Sequence, residues 1–177
     1  MPKKAKVIMT ETDISHCLNR IAHEIIEVNK GAENIVLIGI LNRGLPLAKR
    51  IAKIIENTLK IKVPVGGLDV SLYRDDLAKK GAYIDVKKSD IHFTINGKIV
   101  ILVDDVIAAG RTTRAALDGL KDYGRADKIQ LAALVDRGNR ELPIHPNFIG
   151  RIVPSGKDEV VKVDLLEVDG SDRVTIK

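Results

Sequence analysis

One segment limits the folds open to this chain: Lys98–Tyr123, KIVILVDDVIAAGRTTRAALDGLKDY. Ile99–Val103 is apolar and mostly β-branched with no polar interruption, the pattern of a strand buried on both faces of a parallel sheet. Two carboxylates, Asp104 and Asp105, follow it. Val106 and Ile107 lead into a small-residue turn, Ala108-Ala109-Gly110, and then Arg111-Thr112-Thr113. A helical pattern takes over, with Ala116, Leu120 and Tyr123 on one face and Gly124 as its stop. Strand, acidic pair, tight loop and helix start together place a phosphate-sized anion at a helix N-terminus, where free N–H groups and the helix dipole favour negative charge. Thr112 and Thr113 can add hydroxyl donors. The two acids do not suit a phosphate; they suit sugar hydroxyls, or a Mg2+ ion shared with a polyphosphate. The plainer alternative is a pair of solvated acids after a core strand. The spacing of a Walker loop is absent, as is G-x-G-x-x-G.

Before this segment, Thr12 is a plausible N-cap for a helix whose apolar positions are Ile14, Cys17, Leu18, Ile21, Ile25 and Val28, ending at Gly31. Cys17 falls on that apolar face and reads as core. The other face carries His16, Asn19, Arg20, His23 and Glu27, which pattern alone reads as solvated. Ile35–Ile40 reads as a short buried strand running into Leu41-Asn42-Arg43-Gly44, and Pro46 fits the first turn of the next helix. Asn42, Arg43 and Gly44 form either a simple turn or a second anion site, Gly allowing close backbone approach and Arg supplying charged donors. Ligands of open α/β sheets bind along the edge formed by the strands' C-terminal ends. Two anion loops on that edge favour a ligand with two separated phosphates.

Val65–Leu72 reads as another strand. Periodicity then fades from Tyr73 to Gly97, and an irregular insert of that length reads as a hairpin or flap over the site, closed by the Asn96-Gly97 turn. Ile129–Val135 is a further strand, followed at the same edge by Asp136–Pro143. Phe148–Val153 and Val160–Val168 are strand candidates in the tail. The alternation predicts an α/β fold: a mainly parallel, twisted sheet with helices on both faces and a flexible flap over residues 73–97, in one domain spanning 1–177. Within 177 residues, 45% hydrophobic and 30% charged content describes a soluble globular chain with a core of useful size. Aromatic content of 3% without tryptophan argues against a base-stacking platform for single strands. A net charge of +5 is compatible with phosphorylated ligands, with RNA or with general solubility. One cysteine excludes an internal disulfide, and no segment reads as a secretory signal or a membrane span, so a cytoplasmic location is expected.

The stretch VILVDDVIAAGRT resembles the phosphoribosyl pyrophosphate (PRPP) motif of the type I phosphoribosyltransferases, with one departure: the hydroxyl residue before the glycine is Ala109. RIAHEIIEVNKG (20–31), LYRDDL (72–77), LVDRGNRELPI (134–144) and DLLEVDGSDRV (164–174) are similar to one subfamily almost end to end, diverging around 81–94. That subfamily is the bifunctional pyrimidine operon attenuation protein/uracil phosphoribosyltransferases. The resemblance implies Mg2+-dependent conversion of uracil and PRPP to UMP and pyrophosphate. It also implies binding of pyrimidine-leader RNA with UMP or UTP as co-effector, opposed in some members by guanine nucleotides, and a homodimer or higher assembly.

By the same resemblance, Asp104 and Asp105 hold the ribose hydroxyls, directly or through Mg2+, and Val106, Ile107, Ala108, Ala109, Gly110, Arg111, Thr112 and Thr113 form the 5′-phosphate loop. Asn42, Arg43 and Gly44 take the pyrophosphate. Arg74 in the flap is a further pyrophosphate contact. Arg137 and the backbone near Val135–Gly138 and Ile152–Val153 flank the base. Asn19, Arg20, His23, Arg140, His145 and Arg151 correspond to the RNA face, of which Arg20, His23, Arg140 and Arg151 are expected to form one basic patch apart from the nucleotide pocket. Several positions depart from the family pattern: Asn19 stands for a hydroxyl residue, Asn42 for Thr, Ala108-Ala109 for an aromatic-Thr pair, Asn139 for His and His145 for Arg. Those at 19, 139 and 145 bear on RNA affinity, those at 42, 108 and 109 on catalysis. Two other readings stay open: a UMP-sensing RNA-binding regulator with little catalysis, and a type I transferase for another base.

Overall fold

The structure is a computed structural model, and it describes residues 5–76 and 88–177. The Asn96-Gly97 turn lies within them, with Gly97 at a φ of 68°, but the centre of the expected flap, residues 77–87, lies outside the described residues. Five strands make a wholly parallel sheet: β2 (Ile35–Ile40), β3 (Val65–Leu68), β4 (Ile99–Ile107), β5 (Lys128–Asp136) and β6 (Phe148–Ile152), in the order β3-β2-β4-β5-β6. All six residues of β2 are buried, as the unbroken apolar run requires.

Helices α1 (Glu11–Asn29) and α2 (Gly44–Leu59) cover one face, and α3 (Arg111–Leu120) covers the other. α1 buries Ile14, Cys17, Leu18, Ile21 and Ile25 as read from the sequence, and Ala22 with them, whereas Val28, expected on the same stripe, is exposed near the helix's end. Its N-cap is Thr10 rather than Thr12. Thr10 accepts from the Asp13 N–H while the Asp13 carboxylate accepts from the Thr10 N–H, a reciprocal box that places Thr12 inside the first turn. At its other end Lys30 takes the left-handed conformation, one residue before Gly31.

Three expectations change in the outer parts of the chain. β3 stops at Leu68 and a 3-10 turn occupies Ser71–Tyr73, because Asp69 accepts from the Ser71 N–H and hydroxyl and turns the backbone away. The expected Val160–Val168 strand is β7 (Val161–Asp164) followed by a single helical turn, α4 (Leu166–Asp169). β7 joins the first strand, β1 (Lys6–Met9), and the last, β8 (Arg173–Ile176), in a separate antiparallel sheet of order β1-β8-β7. Both chain ends therefore build a small second layer instead of extending the parallel sheet.

Candidate active site

The chain after β2 winds toward β3, and the chain after β4 winds toward β5, on opposite faces of the sheet. The C-terminal ends of β2 and β4 thus flank a crevice where the winding reverses, the position at which open α/β sheets bind ligands. β4 runs further than its apolar stretch. It pairs with β2 only as far as Val103 but with β5 as far as Ile107. Its β2-facing edge is open from Asp104 onward, which turns the acidic pair toward the loop after β2.

Asp104 is 6% exposed and Asp105 is half-buried. The Asp105 N–H donates to Asp104 Oδ1 at 2.9 Å, and the Val106 N–H donates to Asp105 Oδ1 at 2.9 Å. Burial, and then the neighbouring Asp105, push the Asp104 carboxyl well above the usual carboxylate range, with Arg74 acting weakly the other way. Burial also raises Asp105, against the hydrogen bond it shares with Asp104 and the charge of Arg43. Two acids in that condition favour anything that supplies donors or positive charge: sugar hydroxyls, or a cation. Among the described residues no three side chains form a metal cage. The pair therefore fits a Mg2+ ion completed by ligand oxygens and water, the usual state of that ion.

Two cavities meet at Asp104. The smaller, about 150 Å3, is lined by the 106–113 loop, Arg74, Asp76 and Asp104. Gly110 caps α3 with a φ of 93°, a conformation glycine adopts without penalty, and no side chain caps that helix. The first-turn N–H groups of α3 are left for an anion, with Thr112 at the rim. The larger cavity, about 350 Å3, joins Asn42, Arg43, Asp69, Ser71 and Arg74 to Asp104, Asp105 and Thr112. α2 likewise starts without a side-chain cap. Gly44 packs so closely on the Val103 carbonyl that a Cβ would collide with it. Two uncapped helix starts thus face one crevice, whereas α1, which faces none of it, carries a full capping box.

The flap stem is tied down. Arg74 forks onto Asp76 at 2.8 and 2.6 Å, Asp75 accepts from Arg111 and Arg114 at 2.8 and 3.3 Å, and the Tyr73 hydroxyl donates to Asp122. Arg111 also donates to Glu141 at 2.7 Å. Ala108 and Ala109 separate the smaller cavity from a third of about 550 Å3, lined also by Arg137, Asn139, Arg140, Glu141 and Lys157. Arg137 donates to Ser155 and to the Gly156 carbonyl. The Val153 N–H donates to the Asp136 carbonyl at 2.7 Å, which closes the side where the base was placed.

The residues assigned to RNA fall into two sets of contacts. Arg20 reaches the Ile149 and Gly150 carbonyls and Glu24, and Arg151 reaches the Ile8 carbonyl and Asp13, so both lie where α1 meets β6. Asn19 and His23 are exposed on the same helix, linked through the Asn19 carbonyl, and His145 is exposed on its loop. Arg140 belongs elsewhere. Its side chain, 15% exposed, forks its guanidinium onto Asp136 at 2.9 and 2.6 Å and donates to the Ala108 and Ile144 carbonyls. It is part of the third cavity's wall, because Asp136 at the end of β5 draws it inward. Sequence reasoning missed Asp69, Asp76 and Asp169; the last forks onto Arg43. Asp69 and Asp76 stand beside the flap motif, a signal that was open to reading, whereas nothing local links Asp169 to Arg43.

A family model described as "Phosphoribosyl transferase domain" matches residues 11–166. The chain is 52% identical over 177 residues to "Bifunctional protein PyrR" of Clostridioides difficile, covering 100% of this chain and 99% of that one. It is 53% identical over 169 residues to the protein of the same name from Thermus aquaticus, covering 96% and 93%. Among solved structures, a hypoxanthine phosphoribosyltransferase from Staphylococcus aureus superposes with a TM-score of 0.73 at 21% identity, covering 97% of this chain and 91% of that one. That of Trypanosoma cruzi gives 0.73 at 17%, covering 97% and 95%. At such identities these two structures speak for the fold.

Proposed function

The chain belongs to the phosphoribosyl transferase family and, within it, to the bifunctional PyrR proteins, and from that premise we propose that it transfers the phosphoribosyl group of PRPP to uracil and also binds pyrimidine-leader RNA under control of uridine nucleotides. The observation that carries the first half is the acidic pair, Asp104 buried and Asp105 half-buried, between two uncapped helix starts, an arrangement suited to a ribose with an anion at each end. We read residues 1–177 as one transferase domain working in the cytoplasm as a homo-oligomer.

In the reaction the anomeric C1′–O bond to pyrophosphate breaks, the C1′–N1 bond to uracil forms, and the N1 proton leaves. Positive charge builds on the ribose ring. The work of the chain is to orient the reactants, neutralise the leaving group and exclude water. The N-terminal N–H groups of α3, with Thr112 and Thr113, hold the 5′-phosphate. Asp104 and Asp105 accept from the ribose hydroxyls and place negative charge beneath the developing cation. Asn42, the Arg43 guanidinium and the start of α2 receive the pyrophosphate, with Arg74 closing from the flap stem. A Mg2+ ion bound with the substrate would add charge neutralisation of the leaving group. The backbone of 135–138 and 152–153, beside Arg137, reads the base.

The direct test is a panel of bases offered with PRPP and magnesium. Uracil is expected to turn over and hypoxanthine and guanine are not. Preference for a purine would remove the uracil assignment while leaving the transferase class in place.

A further inference from the structure

We propose that Asp169 is the positioning residue of Arg43, holding the guanidinium so that its open edge meets the pyrophosphate; this rests on the reading of the 41–44 loop given above. The two residues are far apart in sequence and meet because α4 lies against the start of α2. Arg43 is gripped side-on. Its Nε donates to Asp169 Oδ2 at 3.0 Å and its Nη2 to Oδ1 at 2.7 Å. That fork uses one edge of the planar group. Nη1 has no hydrogen-bond partner among the described residues. Arg43 lines the larger cavity with Asn42, Asp104, Asp105 and Thr112.

Asp169 is itself fixed. Its Oδ2 accepts from the Leu165 N–H at 2.9 Å, and its own N–H donates back to the Leu165 carbonyl. α4 is anchored by Arg50 of α2, which forks onto Glu167 at 2.9 and 2.6 Å and onto Asp172 at 2.6 and 2.8 Å. Asp172 in turn accepts from the Leu166 N–H. The route from α2 through Arg50 and α4 to Asp169 returns to Arg43 through paired hydrogen bonds. A free arginine would lose its rotamer freedom when ligand binds; here folding has already taken that freedom away. The cost is a negative charge behind the guanidinium, which solvent at the open side screens. Orientation of a planar, charged fork is the larger effect.

The test compares Asp169→Asn with the unmodified chain, using inorganic pyrophosphate with magnesium as one probe and UMP as the other. UMP carries the 5′-phosphate and no pyrophosphate. The inhibition constant for pyrophosphate and the KM for PRPP are expected to rise about tenfold and kcat to fall, while the calorimetric Kd for UMP moves by less than about twofold. Asp169→Glu keeps the charge and shifts its position. It should show a partial loss with the same selectivity, and it carries the test if the Asn variant does not fold. Unchanged or stronger pyrophosphate inhibition would overturn the proposal. So would a parallel loss of UMP affinity, which marks a general structural role. If the unmodified chain is not inhibited by pyrophosphate, the reading of the loop falls together with the proposal.

Discussion

Asp104 and Asp105 sit where carboxylates are costly, and the cost has a sign. Burial raises both, so the folded state binds protons more readily than the unfolded chain. Their unfavourable contribution is absent below the ordinary carboxylate range and grows as pH rises from there through the raised values. Asp104→Asn is therefore expected to raise the thermal midpoint at neutral pH, each kcal/mol relieved being worth roughly 2–4 °C for a chain of this size. The gain should fade as pH falls toward 4, near the unshifted carboxyl value of about 3.8. Thermal scans from pH 4 to 8 check this, and a variant less stable at every pH would mean that the charged pair is structural. At Ala109 the expectation concerns affinity. Ala109→Thr restores the hydroxyl of the family motif beside the phosphate cradle, and a hydrogen bond to a charged phosphate contributes roughly 1.5–3 kcal/mol. Calorimetry should then show a Kd for PRPP lower by about tenfold or more. No change would mean that this loop takes a different path around the phosphate.

At the scale of elements, the parallel sheet was legible because its strands are apolar runs and its helices carry clean stripes. The placement of the acidic pair and of the 41–44 and 108–113 loops was legible for the same reason: each occupies a strand end before a helix start. What could not be read is long-range pairing of charges. Arg140 illustrates it. Its sequence neighbours say only that it lies in a loop, whereas Asp136 and the Ala108 and Ile144 carbonyls draw it into a wall. The Arg140 hydrogen bonds and the Gly138 N–H outweigh burial and hold the Asp136 carboxyl below the usual range. Removing one partner of so enclosed a pair leaves the other charge stranded. Arg140→Ala is expected to cost about 1–3 kcal/mol of stability, less than for a fully buried pair because both groups keep some solvent. Chemical denaturation measures it. A variant as stable as the parent would return Arg140 to the surface. The tail shows the same limit: a strand followed by a helical turn looked like one strand until Asp169 and Asp172 found their arginines.

For the whole molecule, the parallel sheet carries the crevice while the small antiparallel sheet delivers α4 to its rim. Arg20 and Arg151 lie where α1 meets β6, while Arg140 is held against Asp136 and the Ala108 carbonyl. If the surface where α1 meets β6 takes RNA, affinity for a pyrimidine-leader hairpin should fall steeply with salt, because phosphate contacts release counterions. It should rise with UMP by the linkage that any shared bound form imposes. A gel-shift series at several salt concentrations, with a scrambled hairpin beside it, reads both effects; equal binding to the two hairpins, indifferent to UMP, would leave an enzyme without an RNA role. The central claim is that phosphoribosyl transfer to uracil takes place at the acidic pair. The most direct measurement is UMP formation from uracil and PRPP by the unmodified chain and by Asp104→Asn/Asp105→Asn, with the folded state of both checked by circular dichroism. The account predicts turnover in the first and a loss of at least about a thousandfold in the second, which remains folded. Undiminished turnover in the folded double variant would contradict it.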